Sequence, residues 1–241
     1  MNPDEYIKMA AVESDHWWFR GRREILAQVI AKLELGPRPM ILEAGCGTGG
    51  NLKMLSTFGE VCAFDMSADA WAIARQRAPE VDICSGHLPD AVPFQGRAFD
   101  LICLFDVLEH IENDIDALRG LKDLLAPDGH ILLTVPAFPA LWSQHDSDLH
   151  HHRRYTHSGL IDTLARADLS NVWTSYFNTL LFPLALISRW VARLFHIKPA
   201  GNDLPPPLVN RALHSIFSAE RHWIYPRKLP FGVSLIALAH L

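Results

Sequence analysis

The stretch "ILEAGCGTGGN", Ile41 to Asn51, constrains the fold more than any other part of the chain. An apolar run of strand length enters a turn in which Gly45, Gly47 and Gly50 satisfy the spacing G-x-G-x-x-G. Glycines here let backbone N–H groups approach a nucleotide-like ligand with no side chain in the way. In an open α/β sheet such a ligand sits beyond the carboxyl ends of the strands, where the strand order reverses. The loop alone fits a dinucleotide and other nucleotide-like ligands equally well.

The rest of the 241 residues supplies a sheet of that type. Strands are expected at 40–45, 60–65, 81–86, 99–111 (breaking into a loop) and 130–137. Between them lie helical patterns at 22–35, 49–56, 67–78 (with Ser67 as its cap) and 114–129, the last ended by Pro127 and Gly129. A sixth strand is expected at 171–178 and a seventh at 231–241, separated by two helical runs, 179–196 and 206–224. Strands alternating with helices give an α/β fold: a doubly wound, seven-stranded, mainly parallel Rossmann-like sheet with a helical insertion between the last two strands. Cys46, Cys62, Cys84 and Cys103 fall in or beside strand-like runs without metal-ligand spacing, and read as small buried thiols of a reducing compartment.

Two carboxylates narrow the ligand. Asp65 ends the second strand 20 residues after Gly45, where it can bridge ribose hydroxyls. Glu43 precedes the loop, where it would repel a pyrophosphate and attract an ammonium group. The run "EAGCGTG" (43–49), Asp65, "DVLEH" (106–110) and "LLAPDGHILLTVP" (124–136) then stand in order. On these residues the chain resembles the class I S-adenosylmethionine-dependent methyltransferases, especially the ubiquinone-biosynthesis-type O-methyltransferases, over about residues 40–137.

The resemblance implies S-adenosyl-L-methionine as cofactor, with a nicotinamide enzyme as the reading it displaces. By it Gly45 and Gly47 line the methionine end, Glu43 lies near the amino group, Asp65 holds the ribose and Met66 flanks the adenine. Gly86, His87 and Leu88 take the place of an adenine contact, though the Asp common there is missing from "SGHLPD". Asp106 and Val107 close the pocket under the sulfonium. The parse is one methyltransferase domain over 1–241: N-terminal lid helices over 1–36, a cofactor-binding core over 37–178, an apolar, basic helical insertion over 179–230 and the last strand over 231–241.

Methyl transfer needs a general base only where the acceptor loses a proton. His110 is the candidate, against a structural role holding its loop. The run "HDSDLHHHRRYTHSG" (145–159) lacks committed metal-ligand geometry, so no metal is expected. Within it Arg153, Arg154 and Tyr155 either face the acceptor or brace the fold. Trp17, Trp18 and Arg22 in "SDHWWFRGRREIL" are expected to lie over the cleft as a lid, with packing alone as the alternative.

Charge is uneven along the chain. Residues 1–170 carry 25 acidic and 15 Lys/Arg residues, and 171–241 carry 2 and 7, so the balances are −10 and +5. With Arg189 and Arg193 one turn apart in an apolar helix, 179–230 reads as a peripheral membrane contact or as a cover packed on the sheet. The expected acceptor is a small or lipid-linked molecule and the expected location the cytoplasm, peripherally on the inner face of the membrane. No secretion signal is expected at the N-terminus, and no basic groove or amino-methylation motif points to nucleic acid. A protein that binds the cofactor without turnover, in a regulatory role, is the alternative function.

Overall fold

The computed structural model describes residues 3–195 and 203–241. Seven strands form one sheet: β1 (Met40–Ala44), β2 (Glu60–Asp65), β3 (Asp82–Ser85), β4 (Phe99–Phe105), β5 (Leu125–Pro136), β6 (Ser170–Phe177) and β7 (Ser234–His240). Their order is β3-β2-β1-β4-β5-β7-β6. Neighbours from β3 through β5 are parallel, and β7 runs antiparallel to both β5 and β6. The order reverses between β1 and β4, so the glycine loop leaves β1 at the switch point.

Both faces of the central strands are buried, which is why β1 and β4 read as nearly continuous apolar runs. Leu42 and Ala44 of β1 join Ile102 and Leu104 of β4 in one core, while Ile41, Leu101 and Cys103 face the other. The first core is covered by α5 (Asp114–Lys122) and α7 (His157–Arg166) through Leu118, Leu121, Leu160 and Leu164. The second is covered by α2 (Trp17–Ile30), α3 (Leu52–Leu55) and α4 (Ala68–Arg77) through Ile25, Leu26, Val29, Leu52, Leu55 and Ala74. The four cysteines are free thiols; three are buried and Cys84 is half-buried.

Several boundaries differ from the expected ones. Helix α2 starts at Trp17, because the His16 ring accepts the Trp18 N–H at 3.2 Å and caps it, a task seldom given to histidine. Helix α3 is one turn, since Gly49 stands at φ +80° and cannot be helical. Residues 127–129 do not precede the fifth strand but lie within it: the β4–β5 register passes from Phe99↔Leu125 to Leu101↔His130, and the extra residues form a bulge. A first helix, α1 (Pro3–Val12), lies within the span expected to hold N-terminal helices, and a one-turn helix, α6 (Gln144–Asp148), arises where none was expected.

The segment between β6 and β7 holds α8 (Phe182–Phe195) and α9 (Pro207–Ser218). Helix α9 is seated on α2. Phe217 lies so close to Gly21 that a Cβ there would approach its ring at 2.5 Å. Asn210 Oδ1 accepts the Trp17 N–H at 2.8 Å, and Glu24 receives His214 and Arg221. Arg189 of α8 donates to the Leu141 carbonyl, so one of the two arginines expected at a membrane surface is turned inward. The side chain of Arg193 lies outside the described residues. Among the described residues no helix is long and apolar enough to cross a membrane.

Candidate cofactor and acceptor site

The glycine loop is built from left-handed backbone. Gly45, Gly47 and Gly49 have φ of +74°, +53° and +80°, which L-residues with a side chain rarely adopt. A Cβ on Gly45 would also stand 2.7 Å from Val107, so the loops after β1 and β4 pack against each other at the switch point. Asp65 fixes the loop from the other side. Its Oδ2 accepts the Gly47 N–H at 2.7 Å and its Oδ1 the Ser67 N–H at 2.9 Å. Burial pushes its carboxyl pKa up, against the opposing effect of these N–H donors.

Glu43 lies beneath the loop, 1% exposed. Its Oε1 accepts from Asn51 Nδ2 at 2.7 Å, and its Oε2 has no partner. Burial drives its carboxyl pKa up to about 8, only partly countered by Asn51 and the more distant Arg22. An orphaned buried carboxylate oxygen carries an unmet demand for a donor.

The N-terminal helices cover this loop with residues other than those expected. Glu13 accepts from Thr48 Oγ1 at 2.7 Å and from Arg77, and a Cβ on Gly50 would meet its carboxylate at 2.3 Å. The Met9 methyl lies 3.7 Å from the point a Gly47 Cβ would occupy. Trp17 is turned to Phe217 in an edge contact at 5.7 Å, and packs the fold. Trp18 carries the Arg22 guanidinium 4.5 Å from its ring centre, a cation–π contact. Arg22 in turn pairs with Asp106, whose backbone is left-handed at φ +57°.

The residues expected on the adenine side form a tight turn beside Asp65. Gly86 donates to the Asp65 carbonyl at 3.2 Å, His87 and Ala91 exchange backbone hydrogen bonds, and Leu88 packs on the first core. A Cβ on Gly86 would stand 2.6 Å from Pro93. Met66 is 76% exposed, so its side chain stands free at the rim.

Past Asp106 the chain makes a 3-10 turn over Leu108–His110. His110 is an exposed residue that meets His151 edge-on at 4.6 Å, and partial desolvation of its ring together with that neighbour lowers its pKa. Glu109 is 1% exposed with an unpartnered Oε2; burial and the nearby Asp106 push its pKa well up. The three residues expected to face either the acceptor or the fold each make hydrogen bonds within the protein. Arg153 binds Asp114 at 2.8 Å and the Glu112 carbonyl at 2.6 Å, and the Tyr155 hydroxyl donates to the same Asp114 carboxylate at 2.7 Å. Arg154 donates to Asp146 at 2.7 Å and to the Ala137 carbonyl at 3.0 Å. Arg154 and Tyr155 are buried, whereas the Arg153 side chain is 33% exposed.

Glu13, Asn51 and Glu109 were not among the expected residues. Asn51 closes the glycine stretch and Glu109 sits inside "DVLEH", so both had a signal in their position. Glu13 had none, because its partner Thr48 lies 35 residues away.

Residues 18–175 match the family model described as a methyltransferase domain. The chain belongs to that family. This methyltransferase is 30% identical over 123 residues to an S-adenosylmethionine-dependent methyltransferase of Mycolicibacterium smegmatis, covering 51% of this chain and 46% of that one. It is 31% identical over 103 residues to a ubiquinone biosynthesis O-methyltransferase of Glaesserella parasuis, covering 39% and 44%. Each match thus spans less than half the length of the relative. A chain from the complex of the Haloferax volcanii Trm112 methyltransferase activator with a methyltransferase superposes with a TM-score of 0.65, covering 98% of this chain and 94% of that one. At 16% identity that likeness concerns the fold, which is the class I methyltransferase sheet.

Proposed function

We propose that this methyltransferase binds S-adenosylmethionine at the switch point and transfers its methyl group to an oxygen of a small or lipid-like acceptor. The observation that carries the reading is Glu43: a buried carboxyl with one orphaned oxygen under a glycine loop, protonated while the site is empty, suits a ligand whose ammonium group would hold it ionised and which brings no pyrophosphate. The left-handed Gly45 and Gly47 leave room for its methionine end, and Asp65 stands where ribose hydroxyls would meet a carboxylate that still has free lone pairs. The cofactor supplies an electrophilic methyl group on a sulfonium. The residues Met66, Gly86, His87 and Leu88 border the adenine side of the proposed site, and Asp106 and Val107 its floor. The relatives named for S-adenosylmethionine and for O-methylation support the same chemistry.

The protein's contribution is chiefly alignment, since an in-line displacement gains most from holding donor and acceptor in register. Trp18 and Arg22 are the proposed acceptor-side wall. His110 is the proposed proton acceptor; with its pKa near 4 it is neutral at physiological pH but weakly basic, so it adds less than the alignment does.

The lipid-like acceptor and a peripheral membrane contact rest on α8 and α9. Leu184, Ile187 and Trp190 recur three residues apart and are 53%, 59% and 65% exposed, and Leu208 of α9 is also exposed. Cosedimentation with anionic phospholipid vesicles, lost in Ile187→Glu, is the expected result.

Calorimetric titration with S-adenosylmethionine, repeated on Asp65→Ala, tests the central reading. Saturable binding that weakens at least tenfold in the variant supports it. Absence of binding to the unaltered protein overturns it.

A further inference from the structure

Beyond the cofactor pocket, a second cluster stands just past the end of β4. Glu109, His110 and His151 each offer a ligand atom, and these atoms lie within 4.8 Å of one another. Three features set this cluster apart from the histidines scattered through residues 145–152. Glu109 is almost wholly buried, and its Oε2 finds no donor in the protein. His151 is held at Nδ1 by Asp146 at 3.2 Å, leaving Nε2 for another partner, and its side chain is 8% exposed. His110, the exposed member of the three, has a backbone hydrogen bond from its ring to Leu149.

Asp146 is itself rigid. It is fully buried, it closes a capping box with Ser143, and Arg154 donates to the oxygen that faces His151. Against the desolvation of burial, the hydrogen bonds from His151 and Arg154 hold its carboxyl well below the usual range, so it stays ionised. A carboxylate or carbonyl behind each histidine is the arrangement that fixes ligand orientation in metal sites.

We propose that Glu109, His110 and His151 form a binding site for a divalent transition-metal ion, with Asp146 as the positioning residue behind His151. Two imidazoles and one carboxylate favour borderline ions of the zinc class over magnesium or calcium, which prefer all-oxygen shells. Three protein ligands leave a coordination position open. The cation would also satisfy the orphaned Glu109 oxygen and offset the repulsion between Glu109 and Asp106.

The existence of the site does not depend on the acceptor reading. Its use does: with the methyl acceptor on that open position, the ion would lower the pKa of a bound hydroxyl, and His110 would act through the ion in place of taking the proton itself.

The test is titration of the chelator-treated full chain with Co²⁺, followed by its visible absorption and by calorimetry with Zn²⁺. One equivalent is expected to bind. Affinity should fall at least tenfold in Glu109→Gln and in His151→Ala, and roughly 10–100-fold in Asp146→Asn. His150→Ala and His152→Ala should leave it unchanged. Circular dichroism of each metal-free variant separates ligand loss from failure to fold, and His151→Ala, on a surface loop, is read if Glu109→Gln does not fold. Absence of saturable binding overturns the proposal. So does affinity that survives in His151→Ala, or that disappears in His150→Ala, because the ion would then be held by the loop histidines at large. None of these readouts uses S-adenosylmethionine, so failure here is distinct from failure of the methyl-transfer reading.

Discussion

Arg22 Nη1 donates to the carboxylate of Asp106, joining the first turns of α2 to the left-handed residue that ends β4. The pair is largely buried, with side-chain exposures of 8% and 21%, and Trp18 covers the guanidinium. It is the one link through which the N-terminal helices reach the switch-point loop of β4 by a charge pair among the described residues.

Removing Arg22 leaves Asp106 beside buried Glu109 without its ion-pair partner. Breaking a buried pair costs about 3 kcal/mol. For a chain of this size Arg22→Ala should lower Tm by roughly 6–12 °C. Thermal unfolding by circular dichroism checks it, and a shift under ~2 °C would show the pair to be a surface ornament.

Glu43 predicts a pH dependence. Its folded pKa is about 8, whereas an unfolded glutamate titrates near 4.3. The folded state therefore holds a proton that the unfolded chain releases, so the contribution is full below the unfolded pKa and is lost as pH rises through about 8. Glu43→Gln should accordingly gain Tm relative to the unaltered protein as pH is raised from about 4.5 to 8, by ~2–4 °C for each 1 kcal/mol of penalty removed. Parallel Tm–pH curves for the two proteins would contradict this.

Gly45→Ala faces both a positive φ and the Val107 methyls. The strain should cost about 1–3 kcal/mol. Pairing it with Val107→Ala should recover the part due to collision and leave the part due to φ. A double-mutant cycle in urea measures the coupling, which is expected to be favourable by at least ~0.5 kcal/mol.

Gly21→Val tests the seating of α9 on α2. The added branch would enter the Phe217 ring. Overpacking of that kind costs about 1–3 kcal/mol, and proteolysis should begin to cut within residues 203–222 before the sheet unfolds.

Much of the fold could be read before the structure because the central strands are buried on both faces and so appear as unbroken apolar runs. Residues 60–65 are the clearest case, a strand whose ends coincide with the expected ones. The candidate site was legible where chain neighbours define it, as with Gly45, Asp65 and Asp106. It was illegible where function depends on a partner far along the chain. Glu13 meets Thr48 across 35 residues and Arg77 across 64, and no local pattern marks such a carboxylate. Arg153, Arg154 and Tyr155 look alike in sequence whatever they face, and their internal partners Asp114 and Asp146 are visible only in the structure. His16 escaped notice as a cap because imidazole is a rare one.

The place of β7 bears on how this chain is made. It follows β5 and β6 in the chain, yet it is inserted between them, and among the described residues β6 has no other neighbour in the sheet. Until residue 240 has emerged, β5 presents an open hydrogen-bonding edge and β6 lacks the strand it pairs with. Synthesis runs from the N-terminus at ~5–20 residues per second, so the half-sheet β3-β2-β1-β4-β5 must wait for several seconds with that edge exposed. The nascent chain is therefore most open to chaperone capture, and to pairing with a neighbouring nascent copy, in the interval between completion of β5 and emergence of β7.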